Sequence, residues 1–193
     1  MLGLKLPTDP RWVDIAKKNI EEILVDHAYC EQKAASSCIS LIVQFPQYKK
    51  LVEVLTPVVS EEWDHFRRVL EHLNKRGYNL GVQRKDEYVA ALQKRIPQGG
   101  SRNEQLTERL LVNALIEARS CERFKLLWQQ IEDKDLKNFY HELMISEAGH
   151  YKNFIQLAKE YHDPQKVQQR WEHWLAVESE IITNLDVRDD RMH

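Results

Sequence analysis

The sequence predicts an all-α fold built from long helices, and three observations carry that prediction. Apolar residues recur at spacings of three and four almost throughout the chain. Turn formers are scarce, with six glycines and six prolines in 193 residues, too few for the many turns of a sandwich or barrel. Two helix pairs with short turns are joined by one long connection. That connectivity belongs to a ferritin-like four-helix bundle, here with a long crossover and an additional C-terminal helix. With 42% apolar and 30% charged residues, the chain has the material for one core, and residues 1–193 are expected to form a single domain.

The elements follow in order. Asp9-Pro10 is a helix start, a capping acid before a proline, and apolar positions from Trp12 to Ile42 extend one long helix to about Phe45. Pro46 marks a turn. A second helix runs from about residue 47 to 76 and stops at Gly77, with Pro57 expected to bend it. The connection holds a short helical pattern over 86–95 and then the breaker run Pro97-Gln98-Gly99-Gly100-Ser101. A third helix covers about 103–131. Asp133 or Asp135 caps a fourth, which reaches about His162, and Pro164 opens a fifth. Residues 186–193 read as a frayed end.

Composition narrows the function. A net charge of −2 excludes a uniformly basic nucleic-acid binder but leaves room for a local basic patch. Three cysteines without a CxxC pair indicate reduced, intracellular usage. The N-terminus lacks the apolar stretch of a signal peptide, and no run is long enough to span a membrane, so a cytoplasmic protein is expected.

The informative residues are polar ones on apolar stripes. The second helix reads Leu51, Leu55, Val58, Glu62, His65, Val69 along one face, and the fourth reads Leu136, Tyr140, Leu143, Glu147, His150, Phe154. Each carries Glu-x-x-His inward, where i and i+3 lie side by side. Glu31 sits among Leu24, Ala28, Ala35 and Cys38, and Glu117 among Leu110, Ala114, Cys121 and Phe124. One glutamate on each of two helices, with Glu-x-x-His on the other two, is the ligand set of di-iron and di-manganese carboxylate bundles. Glu62 lies 31 residues beyond Glu31, and Glu147 lies 30 beyond Glu117, with a turn about midway in each interval. The six residues are therefore level in an antiparallel bundle. Four buried carboxylates need neutralising, and inward cations such as Arg119 or Arg123 are too few, whereas two divalent metals match the charge. Oxygen donors with two imidazoles suit iron or manganese. Glu122 rivals Glu117, but its stripe is poorer. His27, one turn before Glu31, is either a partner of that carboxylate or an ordinary histidine. Cys38, Cys121 and the tryptophans read as packing.

These residues resemble a known family. Asp26-His27-Ala28-Tyr29-Cys30-Glu31-Gln32-Lys33-Ala34-Ala35, Glu61-Glu62-Trp63-Asp64-His65-Phe66, Ile116-Glu117-Ala118-Arg119-Ser120-Cys121-Glu122-Arg123-Phe124 and Ser146-Glu147-Ala148-Gly149-His150-Tyr151 are similar to segments of the tRNA hydroxylases of the MiaE type. The resemblance implies a non-haem di-iron monooxygenase with two iron ions and dioxygen as co-substrate. Its substrate would be the isopentenyl chain of a 2-methylthio-N6-isopentenyladenosine beside the tRNA anticodon. Electrons would come from an external donor, since the sequence shows no flavin motif, CxxC pair or haem site.

One independent feature fits RNA. Between Arg67 and Arg109 the chain carries ten basic against five acidic residues. Arg84, Lys85, Lys94 and Arg95 are the expected phosphate contacts. Two rival readings stay open: a ferritin- or rubrerythrin-like ferroxidase or peroxidase on the same site, and a non-enzymatic helical adaptor that holds RNA.

Overall fold

The computed structural model describes residues 2–185 and 192, which form seven α-helices and no strand. They fall into two compact units.

The first unit, residues 10–85 with Met192, holds α1 (Arg11–Lys18), α2 (Ile20–Gln44) and α3 (Lys49–Lys75). The single long first helix expected from periodicity is broken at Asn19, whose φ of −125° and ψ of 49° leave the helical region. Its N–H turns back to the Ala16 carbonyl at 3.1 Å. Asparagine competes for backbone hydrogen bonds, so a break there costs little, and apolar spacing does not register it. The start also differs. Pro10, with helical φ, occupies the cap position, and no side chain caps α1.

α2 and α3 pack as an antiparallel pair through Leu24, Ala28, Ala35, Cys38 and Leu41 against Leu51, Leu55, Val58 and Val69, all buried. Between them Phe45 donates to Leu41 and Tyr48 to Phe45. α3 passes through Pro57 without interruption. Pro57 is exposed, so the carbonyl that loses its helical donor there can be served by solvent. α3 ends at Gly77, whose φ of +74° suits glycine, and Tyr78 N–H closes onto the Leu73 carbonyl at 3.0 Å. The chain then lies along α2, where Tyr29 Oη donates to the Gly81 carbonyl at 2.9 Å and Arg84 pairs with Glu22. Of the C-terminal stretch expected to fray, only Met192 is among the described residues. It is buried, and its N–H donates to Asp26 at 2.7 Å.

The second unit, residues 2–9 and 86–185, holds α4 (Glu87–Lys94), α5 (Arg102–Gln130), α6 (Lys134–Tyr161) and α7 (Pro164–Asn184). Each helix start has a chemical cause. Asp86 accepts from Val89 N–H, and Ser101 with Glu104 forms a reciprocal capping box. Asp133 accepts from Asp135 and Leu136, and Asp163 from Gln165 and Lys166 just ahead of α7. α5 and α6 pair through Leu110, Ala114, Cys121 and Phe124 against Leu136, Tyr140, Leu143 and Phe154, and α7 adds Trp171, Trp174 and Ile181.

α7 is also fixed by buried charge. The fully buried Arg119 donates from Nε and Nη2 to Glu178 at 3.0 and 2.5 Å, and from Nη1 to Glu122 and to Thr8 Oγ1. Its Nη2 also reaches the Leu6 carbonyl at 3.1 Å, and Tyr88 Oη donates to Glu178 at 3.4 Å. Burial pushes the Glu178 carboxyl up against the opposing pull of Arg119. The Tyr88 hydroxyl is raised well above its ordinary value by burial and then by the Glu178 charge. One guanidinium thus ties the N-terminal segment, α4, α5 and α7 together. Removing one partner of a buried ion pair strands the others, so Arg119→Met should destabilise the fold by about 3–5 kcal/mol in urea unfolding. Adding Glu178→Gln should recover part of that loss.

Candidate metal centre

Each unit carries one triad of two glutamates and a histidine. In the first, α2 supplies Glu31 and α3 supplies Glu62 and His65. Their ligand atoms lie within 4.8 Å of one another, with His65 Nδ1 3.5 Å from Glu31 Oε2 and 3.6 Å from Glu62 Oε2. In the second, α5 supplies Glu117 and α6 supplies Glu147 and His150, again within 4.8 Å, with His150 Nδ1 3.4 Å from Glu147 Oε2. All six residues are buried, none more than 5% exposed. The helix periodicity that selected them in the sequence explains this, because each replaces an apolar residue on an inward stripe.

The donor chemistry fits a metal. Separations of 3.4–3.6 Å exceed a hydrogen bond. They approach the roughly 3 Å between neighbouring donors that each stand about 2.1 Å from a shared ion. Carboxylate oxygen with imidazole nitrogen is a set for iron or manganese rather than for a thiolate-seeking metal. His27 resolves to one of its two expected roles: its Nε2 lies 2.6 Å from Glu31 Oε1 with both groups buried. That bond engages one carboxylate oxygen and leaves the other on the side of His65.

Glu122, the rival of Glu117, is occupied elsewhere. It accepts from Thr8 N–H at 3.2 Å, from Thr8 Oγ1 at 2.7 Å, and from Arg119. Arg119, weighed in the sequence as a counter-ion for the inward glutamates of the stripe, serves Glu122 and Glu178 instead. Glu178 and Glu108 were missed by the sequence reading. Both are buried, Glu108 by a bidentate pair with Arg170 and a bond from Trp174 Nε1 at 2.7 Å. The signal was available: Glu178 interrupts the stripe of Trp171, Trp174, Leu175 and Ile181 as Glu31 interrupts its own.

The four basic residues divide between the units. Arg84 pairs with Glu22 in the first. Arg95 pairs with Glu180 at 2.8 Å in the second, and Lys85 and Lys94 are exposed. Trp171 and Trp174 are buried packing residues as expected, but Trp63 is 47% exposed beside Phe66.

The fold is ferritin-like, and buried acids beside imidazoles on its described helices are compatible with a metal site. The chain belongs to the family described as tRNA-(MS[2]IO[6]A)-hydroxylase (MiaE), whose model matches residues 2–193. A relative from Pseudomonas putida named tRNA 2-(methylsulfanyl)-N(6)-isopentenyladenosine(37) hydroxylase is 35% identical over 183 residues, 95% of this chain and 88% of its own length. A Salmonella typhimurium protein of the same name is 26% identical over 98% of this chain and 87% of its own. A solved structure, "Protein 43 with aldehyde deformylating oxygenase activity from Synechococcus", superposes with a TM-score of 0.92 at 33% identity, covering 98% of this chain and 94% of that one. The ferritin-like fold expected from the sequence is the fold of this chain. Among the described residues no helix is long and apolar enough to cross a membrane.

Burial, and next the Glu147 charge, push the Cys121 thiol up to about 12, and its Sγ donates to the Met144 carbonyl at 3.1 Å. At pH 8 the thiolate is therefore absent in the folded protein. Iodoacetamide should label the half-buried Cys30 and spare Cys121 and the buried Cys38 until denaturant is added, as peptide mass mapping would read.

Proposed function

We propose that this chain is a non-haem di-iron monooxygenase. It hydroxylates the isopentenyl side chain of a 2-methylthio-N6-isopentenyladenosine next to the tRNA anticodon, in the cytoplasm, with dioxygen and an external reductant. The observation that carries the reading is the repeated triad, one glutamate plus Glu-x-x-His in each unit, in a member of a tRNA hydroxylase family. In this reading the two units act as one domain, and Glu31, Glu62, His65, Glu117, Glu147 and His150 hold two iron ions. Four carboxylates then meet four positive charges, which meets the cost of burying them.

Iron held by these six residues would supply the reduction of dioxygen: with two electrons replenished by the external reductant and two protons, one oxygen atom would enter a C–H bond and the other would leave as water. The protein does the rest. His27 holds one oxygen of Glu31 and so orients the other. Leucine and alanine neighbours on the same stripes keep water from the site. Arg84, Lys85, Lys94 and Arg95 contact the RNA backbone, and Lys85 and Lys94 are exposed.

Family membership favours this over the ferroxidase or peroxidase and the adaptor. Reduced, iron-loaded protein with prenylated tRNA under labelled dioxygen should yield a nucleoside heavier by one labelled oxygen, and tRNA without the prenyl chain should yield none. Rapid turnover of peroxide with no such nucleoside would install the peroxidase reading instead. Glu117→Ala should lower bound iron severalfold, whereas Glu122→Ala should keep the iron and lower stability, as metal analysis and urea unfolding would separate.

A further inference from the structure

A cleft of about 480 Å³ opens in the unit of residues 2–9 and 86–185, between the glycine loop before α5 and the start of α7. Its volume lies within the range of small-molecule sites. Thr107 on its wall is ten residues before Glu117, about 15 Å along α5 at ~1.5 Å per residue. The cleft is therefore separate from the triad on the same helix.

Thr107 marks it as a binding site. The side chain is 1% exposed and its hydroxyl has no hydrogen-bond partner. Buried hydroxyls are nearly always satisfied, so one left open on a cleft wall is a position suited to an incoming polar group. On one side Gly99, at φ of +92°, has open space where a side chain would stand, while the Gly100 carbonyl accepts from Gln105 and its Cα faces Glu104. On the other, Arg170 has its guanidinium locked by Glu108 at 2.6 and 2.8 Å, and Glu108 is itself fixed by Trp174. A guanidinium held in one plane is a stacking surface for a flat ring.

Charge decides what kind of ligand fits. Lys166 and Arg170 are balanced by Glu104 and Glu108 in the lining. The bonds from Ser101 hold the Glu104 carboxyl below its ordinary range, so this acid is ionised and already occupies the N-terminus of α5. A phosphate would meet that carboxylate. An uncharged planar group with both donors and acceptors would meet Thr107, the glycine backbone, the amide of Gln169 and the Arg170 plane without opposition. We propose that the cleft receives an unpaired nucleobase of the RNA substrate, a few nucleotides along the strand from the adenosine at the triads. This rests on the hydroxylase reading above and adds to it the site that positions the strand.

The test uses full-length, iron-loaded protein and a set of anticodon stem-loops that carry the prenylated adenosine. Each carries one abasic site at a different loop position. Binding is read by anisotropy for the wild type, Thr107→Val, Gln169→Ala and the double variant. Base stacking carries enough energy that one abasic position should weaken wild-type binding about tenfold or more. The double variant should bind the intact loop severalfold more weakly and lose clearly less than the wild type with that same abasic RNA, since only the Arg170 plane is left to the base. Thr107→Val is isosteric and Gln169 is exposed, and thermal unfolding should show both folded. Variants that bind every loop as the wild type does, or that weaken the intact and abasic loops by the same factor, would overturn the proposal. So would competition by free nucleoside with no abasic position affected. Hydroxylation that persists alongside any of these results leaves the enzyme reading standing. Coupling without hydroxylation would keep the cleft and remove the chemistry.

Discussion

A buried carboxylate must find its counter-charge, and the architecture of this chain follows from how each one does. An ionised acid inside a helical core costs several kcal/mol unless it is paired, hydrogen-bonded or bound to a metal. Glu178 and Glu122 are answered by Arg119, and Glu108 by Arg170 with the Trp174 indole. Around Glu31, Glu62 and Glu147 the structure places imidazoles instead. The first solution cross-links helices. The second gathers donors about a point, and donors so gathered are the raw material of a metal site.

That division explains why two kinds of polar interruption look alike along the chain yet serve different ends. Glu178 sits on the apolar stripe of α7 just as Glu147 sits on that of α6. Their difference lies in what faces them: a guanidinium fork in one case, a second carboxylate and an imidazole in the other. Arg119 is three residues from Glu122 and 59 from Glu178 in sequence, so only the first pairing is local enough to be anticipated from spacing.

Much of the fold was legible because it rests on period and punctuation. Gly77, Asp133 and Pro164 end or begin helices by local chemistry, and the structure places the boundaries within a residue or two of them. Asn19 was not legible, since a break that leaves the apolar stripe in phase does not disturb the pattern. The two triads were legible as pairs on single helices and as equal distances from a turn. The place of His27 beside Glu31 was legible only as one of two options, because an i, i+4 histidine can face either the carboxylate or solvent. The occupation of Glu122 by Thr8 was beyond reach, as it depends on a segment 114 residues away.

The central proposal is that Glu31, Glu62, His65, Glu117, Glu147 and His150 hold two irons. Mössbauer spectroscopy of the protein loaded with iron-57 tests it most directly. The account predicts two irons per chain that form a single exchange-coupled pair, diamagnetic at low temperature when both are ferric. Iron bound as magnetically isolated ions, or one iron per chain in one triad, would contradict it.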